Sequence, residues 1–164
     1  MRRQKSANPR AFLALPYDFG DTPGHASTFF GIRWRYAGWW GVCLDARDSR
    51  RLASFYSRVL GWDVTHTDEN GAAIAIPGTT SFISFQRNDD IHAPVWPGVS
   101  GEQQMMLHVD VAVDELNVAV TEAMALGATL AEFQPHDSVR VLLNPEGHPF
   151  CLYADPAPDG GVSS

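Results

Sequence analysis

Three polar residues near the ends of two strand-like segments carry the clearest chemical potential of this sequence. His108 and Asp110 lie two residues apart in the segment 105–112, so strand alternation turns both side chains to one face. An aspartate placed there can orient an imidazole ring. Cys151 lies in a later segment, 149–153, and a free cysteine commonly packs as a small hydrophobic residue. We therefore predict a cleft containing all three residues, with no nucleophilic role for Cys151.

Aromatic residues are placed where they can line such a cleft. Tyr153 follows Cys151 by two residues and shares its face, while Trp96 lies in a connector rich in proline and glycine, residues 88–104. Core packing gives no evident reason for a tryptophan in that connector. An aromatic lining favours a planar or apolar ligand, so Tyr153 and Trp96 are added to the predicted cleft.

Composition excludes several classes of function. The 164 residues are 45% hydrophobic and 19% charged, with a net charge of −7, which indicates a packed core and argues against nucleic acid as a partner. No apolar run approaches the roughly 20 residues of a membrane span. The two cysteines indicate a reducing compartment, the cytoplasm. Cys43 alternates with Val42 and Leu44, so it could face the same cleft, but we predict that it packs.

Charge and periodicity divide the chain into three parts. Residues 1–38 have no sustained hydrophobic period and carry six basic and two acidic residues. They are predicted to form a flexible basic extension. Residues 39–155 are predicted to form the folded domain, and residues 156–164, rich in proline, glycine and serine, a disordered tail.

The predicted domain repeats one pattern. Thirteen positions separate the helix cap Asp48 from the stop residue Gly61, and the same number separates Asp114 from Gly127. Each interval carries an apolar stripe at helical spacing, formed by Leu52, Phe55, Tyr56, Val59 and Leu60, and by Leu116, Ala119, Val120 and Ala123.

Strand-like segments precede and follow each predicted helix, at 41–46, 62–67, 72–76 and 81–87, and at 105–112, 128–133, 139–143 and 149–153. The sequence thus predicts an α+β fold of two tandem βαβββ modules, residues 39–88 and 105–155.

These motifs resemble the vicinal oxygen chelate superfamily, the glyoxalase, bleomycin-resistance and dioxygenase group, in its glyoxalase-like subgroup. The resemblance rests on DARDSRRLASFYSRVLGW in the first module and on LHVDVAVDELNVAVTEAMALGA and NPEGHPFCLY in the second. It implies that the sheets of the two modules curl around a cleft with the helices outside, and that a homodimer is a common assembly.

The resemblance also implies four metal-ligand positions, which fall at Gly41, Gln86, His108 and Cys151. Distance from the helix cap favours Gln86 for the second position, whereas pairing of the two final strands by their phenylalanines favours Ile83. Glycine offers no donor, so we expect no complete metal site and no cofactor. If a divalent metal binds, His108, Gln86 and Cys151 are its expected ligands, with Asp45 the next residue to consider.

The resemblance implies two possible functions. The first is a metal-free protein that binds a small molecule through His108, Gln86 and Cys151. The alternative is a lyase, isomerase or dioxygenase that uses a divalent metal held by His108. The fold alone does not choose between them, because the superfamily includes both binding proteins and enzymes.

Removal of residues 1–30 should leave the folded domain intact, since both predicted modules lie beyond them. We expect the thermal midpoint of the truncated protein to lie within roughly 5 °C of the full-length value, which is about 1 kcal/mol for a domain of this size. A larger fall in a calorimetric scan would show that the extension packs on the domain.

Overall fold

The computed structural model describes residues 40–154. The predicted extension, 1–38, and the predicted tail, 156–164, lie outside the described residues. Within residues 40–154, no helix is long and apolar enough to cross a membrane.

Each predicted module forms one helix and one four-stranded sheet. The first module contains β1 (Gly41–Ala46), α1 (Ser49–Leu60), β2 (Val64–Thr67), β3 (Gly71–Ala75) and β4 (Phe82–Arg87). The second contains β5 (Asp110–Val113), α2 (Leu116–Ala125), β6 (Thr129–Leu130), β7 (Val139–Leu143) and β8 (Pro149–Ala154).

The two sheets have the same topology. Their strand orders are β1-β4-β3-β2 and β5-β8-β7-β6. In each sheet the first strand pairs parallel to the last, and the other pairs are antiparallel. This confirms the α+β class and the repeated βαβββ pattern, built as two mixed sheets.

β5 and β6 are each four residues shorter than predicted, and β2 is two residues shorter. β5 begins at Asp110, because the register that pairs Asp110 with Cys151 would bring His108 opposite Pro149, which has no N–H for the ladder. β6 ends at Leu130, and beyond Ala131, whose N donates to Val141 O at 3.0 Å, a side chain takes over the pairing with β7. The Gln134 amide accepts from Val141 N at 2.9 Å and donates to Val141 O at 3.0 Å.

The helix caps differ between the modules. Asp48 caps α1 as predicted, its carboxylate accepting from Arg51 N at 3.0 Å, and Gly61 ends the helix with φ 68°. The predicted cap at Asp114 is wrong. α2 begins at Leu116, so its N-cap is Glu115, one residue after Asp114. No side chain makes a capping hydrogen bond there.

The core joins the two modules through α1. Both predicted stripes pack into one cluster that contains residues of both helices and both sheets. The Phe55 ring lies 5.6 Å from Phe150 of β8, and the Tyr56 ring stacks at 5.7 Å on Phe85 of β4. Aromatic pairs at these distances add stability beyond their buried area, so α1 holds a sheet of each module.

The turn between β7 and β8 adds polar contacts to α1. Asn144 donates to the Tyr56 hydroxyl at 3.2 Å, and burial raises the pKa of Tyr56 to about 12. The Glu146 carboxylate accepts from Arg47 N at 3.1 Å and from Asp48 N at 3.2 Å. Because these amides lie where α1 begins, Glu146 satisfies donors near the positive end of its dipole from the other module.

Replacement of Glu146 by alanine should remove this link between the modules. We expect Glu146→Ala to lower the free energy of unfolding by about 1 kcal/mol, the usual cost of losing a helix-capping group. Urea denaturation followed by circular dichroism measures the change. Glu132→Ala, at an exposed residue, is the matched control, and an equal loss in both variants would contradict the capping role.

Candidate functional site

The structure brings His108, Asp110 and Cys151 together on one face of the second sheet. His108 Nε2 lies 3.1 Å from Asp110 Oδ1. Asp110 is the register partner of Cys151, and Cys151 N donates to Val109 O at 2.9 Å. One donor atom from each of the three side chains lies within 4.8 Å of the others. We call these three residues the second-sheet triad.

The triad has two accessible members and one buried member. The side chains of His108 and Asp110 are 35% and 54% exposed, whereas Cys151 is 7% exposed. Burial raises the pKa of the Cys151 thiol, and the negative charge of Asp110 raises it further. The thiol therefore keeps its proton at neutral pH, as expected of a cysteine that is not a nucleophile.

Tyr153 and Trp96 both lie against the triad. Tyr153 lies two residues after Cys151 on β8, and the pKa of Tyr153 is raised by partial burial and then by the charge of Asp110. Trp96 packs on the cluster that contains Cys151, and its indole N–H donates to Phe133 O at 3.1 Å. Trp96 therefore packs on the second sheet, which explains a tryptophan in the connector that the sequence did not explain.

Gln86 lies in the other sheet. It occupies β4, where its register partners are Asp45 of β1 and Gly71 of β3. The alternative residue, Ile83, packs on the core that the helices cover. Gln86 and Ile83 are three positions apart on β4 and so lie on opposite faces of the strand, with Ile83 on the face that packs on the core.

A cavity of about 520 Å³ lies beside the triad. It is bounded by β1, the connector, the segment leading to His108 and the β7–β8 turn; the residues that form it include Cys43, Leu44, Asp45, Asn88, Asp90, Ile91, His92, Gln103, Gln104, Met106, Leu107, Asn144 and His148. None of the six residues predicted for the cleft lines this cavity. The six predicted residues therefore lie outside the cavity wall.

His148 lines the cavity one residue before β8, the strand that carries Cys151. Its Nδ1 lies 3.0 Å from Pro149 O. Burial lowers the pKa of His148, the Pro149 carbonyl opposes this effect, and the charge of His108 lowers the pKa further. His148 therefore remains neutral at neutral pH.

Sequence reasoning missed most of the cavity. Strand alternation places Cys43 and Asp45 on one face of β1. The prediction that Cys43 packs is wrong, because its side chain is exposed and lines the cavity, in agreement with the alternative that it faces a cleft. The residues of the connector have no period from which their orientation follows. His148 gave only the weak signal of a polar residue after the turn residue Gly147.

Comparison with known proteins now identifies the family. The model of the glyoxalase-like domain family matches residues 41–153, which span both modules. The chain therefore belongs to the glyoxalase-like domain family, within the vicinal oxygen chelate superfamily. Comparison with the curated proteins gives no significant match.

Solved structures share the fold at low sequence identity. A glyoxalase/bleomycin resistance protein/dioxygenase family enzyme from Burkholderia phytofirmans PsJN is 20% identical, with a TM-score of 0.51 over 70% of this chain and 95% of that one. The fosfomycin resistance protein FosX from Listeria monocytogenes is 14% identical, with a TM-score of 0.53 over 74% of this chain and 93% of that one. Both likenesses concern the fold.

Packing explains why residue 41, the first of the four metal positions expected from the superfamily, is a glycine. A Cβ atom at this position would lie 2.6 Å from the ring of Phe82, its register partner on β4, and 2.7 Å from Phe82 O. The two parallel ladders, however, pair Asp45 with Gln86 as they pair Asp110 with Cys151. With Gln86 aligned to Cys151, the counterpart of His108 on β1 is therefore Cys43, and the expected position at Gly41 is wrong by two residues.

The two cysteines should differ sharply in reactivity. We expect iodoacetamide to modify Cys43 at least about tenfold faster than Cys151 at pH 8, because Cys43 is exposed and Cys151 is buried with a raised pKa. The Cys151 rate should still be rising when the pH passes the usual thiol pKa. Peptide mass spectrometry gives both rates, and comparable rates at pH 8 would contradict this arrangement.

Proposed function

We propose that this protein binds a small organic molecule in the 520 Å³ cavity. The supporting observation is the cavity itself, whose volume lies within the range of about 300–1,000 Å³ that small-molecule sites occupy. Its wall combines aliphatic side chains with a few polar groups, the composition that such sites use to bind and orient a ligand. The proposed setting is the cytoplasm, consistent with two free cysteines.

The charges on the wall favour a neutral or cationic ligand. Asp45 and Asp90 line the cavity, and its described lining residues include neither lysine nor arginine. Asn88 donates to Asp45 Oδ2 at 2.8 Å, which fixes that carboxylate at the wall. The overall charge of −7 acts in the same direction by attracting cations from a distance.

The residues predicted from the sequence have a secondary place in this proposal. Met106 and Leu107, which directly precede His108, line the cavity wall. A ligand that extends past Leu107 would therefore meet the polar face that carries His108 and Asp110. Gln86 lies outside the cavity wall, as the register partner of the wall residue Asp45 in the β1–β4 pair.

A divalent-metal-dependent lyase, isomerase or dioxygenase is the second candidate. The specific observation in its favour is that His108 lies with two other metal donors next to a cavity. For this candidate, turnover should disappear when the metal is removed by a chelator and when His108 is replaced by alanine. The binding function predicts instead that ligand affinity survives chelation.

Dye binding tests the proposed site directly. Fluorescence titration should show that the cationic aromatic dye proflavine binds more tightly than the anionic dye 1-anilinonaphthalene-8-sulfonate. Asp45→Asn and Asp90→Asn should each weaken proflavine binding roughly fivefold, the equivalent of about 1 kcal/mol for one charge contact near water.

The exposed residue Asp63, outside the cavity, provides the matched control. Asp63→Asn removes the same charge from the protein and should leave proflavine affinity unchanged. Equal weakening in all three variants would assign binding to general surface charge. Tighter binding of the anionic dye would contradict the proposed ligand class.

A further inference from the structure

We propose that the ligand of the cavity is a small aliphatic diammonium compound, a chain of methylene groups with a protonated primary amine at each end. This inference rests on the proposed function, because it concerns the same cavity, and it names one class among the neutral and cationic ligands considered there. Three features of the wall support it: the hydrogen-bonding groups that the wall offers, the rings that it lacks, and its aliphatic side chains.

The glutamine side chains on the wall donate their N–H groups to the protein itself. Gln104 Nε2 donates to Val99 O at 2.7 Å and to Glu102 O at 2.9 Å, which uses both of its hydrogens. Gln103 Nε2 donates to Gln104 O at 3.1 Å. These two amides therefore hold the connector in place, and Gln104 has no N–H group left for a ligand.

The asparagine side chains on the wall are engaged in the same way. Asn88 Nδ2 donates to Asp45 Oδ2 at 2.8 Å, and Asn144 Nδ2 donates to the Tyr56 hydroxyl at 3.2 Å. All four side-chain amide nitrogens of the described wall thus donate within the protein, and this wall contains neither lysine nor arginine. A ligand that needs hydrogen-bond donors from the protein finds few of them here.

Hydrogen-bond acceptors, in contrast, remain open on the wall. Among residues 40–154, no group donates to Asp45 Oδ1 or to the Asp90 carboxylate. His148 Nδ1 lies 3.0 Å from Pro149 O, and because a carbonyl oxygen can only accept, Nδ1 carries the hydrogen and Nε2 is left as an acceptor. Two carboxylates and one imidazole nitrogen call for a ligand that carries N–H donors and two positive charges.

The absence of aromatic rings from the described wall selects the type of cation. No phenylalanine, tyrosine or tryptophan is among its residues, whereas proteins recognise quaternary ammonium groups on aromatic faces. A quaternary head group also has no N–H, so it would leave Asp45, Asp90 and His148 without hydrogen bonds. Sites built to form a hydrogen bond strongly reject analogues that lack the partner, so the wall favours a primary over a quaternary amine.

The remainder of the wall suits the methylene chain between the two amines. Aliphatic side chains line the cavity on several elements, among them Leu44 of β1, Leu52 of α1, Ile91 of the connector, and Met106 and Leu107 before β5. Each methylene group that these side chains remove from water adds affinity. Apolar side chains between charged acceptors therefore match a chain that is apolar in the middle and charged at its ends.

A matched series of five-carbon compounds tests the ligand class on the full-length protein. In calorimetric titrations at neutral pH, cadaverine should bind at least about tenfold more tightly than pentamethonium, its quaternary analogue of equal charge, because hydrogen bonds to charged groups are lost. Pentylamine, with one charge, should bind roughly fivefold more weakly than cadaverine, and pentanediol, with hydroxyl groups and no charge, more weakly still.

Variants separate the hydrogen bond from the charge. Asp45→Asn should weaken cadaverine and pentamethonium together, because it removes a charge that attracts both. His148→Phe should reduce the preference for cadaverine at least about fivefold, since it removes an acceptor and adds a ring face that suits the quaternary group. His136→Phe, at an exposed residue outside the cavity, is the matched control and should keep the wild-type preference.

Three outcomes would overturn the ligand class: pentamethonium binding as tightly as cadaverine, pentanediol binding as tightly as cadaverine, and no cadaverine binding at about 1 mM. Circular dichroism confirms folding of each variant, and the comparison of compounds on the wild-type protein decides the question if His148→Phe does not fold. Proflavine is titrated into the same samples. If proflavine binds and cadaverine does not, the ligand class is wrong and the cavity proposal stands, whereas both fail if neither binds.

Discussion

The packing of α1 between the two modules is the constraint on which the rest of this structure depends. Phe55 and Tyr56 contact Phe150 and Phe85 in different sheets, and Asn144 and Glu146 add hydrogen bonds from the β7–β8 turn. Large aromatic groups dominate core energetics, and close packing leaves little freedom for one module to rotate against the other. The relative position of β1 and the β7–β8 turn is thereby fixed.

That fixed position creates the cavity. β1 supplies one wall and the β7–β8 turn supplies another, so residues distant in sequence, such as Asp45 and His148, border the same volume. The β7–β8 turn both holds α1 in place and forms part of the cavity wall. Asn144 bonds to Tyr56 in the core and lines the cavity, while its Oδ1 accepts from Glu146 N and His148 N. The same residue that secures the helix therefore orients the neighbouring histidine.

The sequence predicted the helices and most strands well, because the spacing of hydrophobic residues follows the face of each element that is buried. The stripe that contains Leu52 and Tyr56 and the alternation around Asp110 both describe faces that the structure buries or exposes as expected. Register was harder to predict. The proximity of Asp110 and Cys151 follows from a ladder between segments far apart in the chain, which no local pattern encodes.

Irregular segments were beyond prediction for a physical reason. The connector has no repeating backbone geometry, so neither the contact of Trp96 with the second sheet nor the contribution of His92 to the cavity follows from spacing. The shortening of β5 was in principle readable, since Pro149 cannot donate to the ladder. It required knowledge of the partner residue, however, and that depends on the long-range register.

The connector also joins the cavity to the packed face of the second sheet. Ile91 in its first half lines the cavity and accepts a hydrogen bond from Arg47 at 2.6 Å, while Trp96, five residues later, packs on the cluster that contains Cys151. If an occupant of the cavity displaces Ile91, thermodynamic linkage requires the effect to be reciprocal, so a change that loosens the packing of Trp96 alters affinity in the cavity by the same factor.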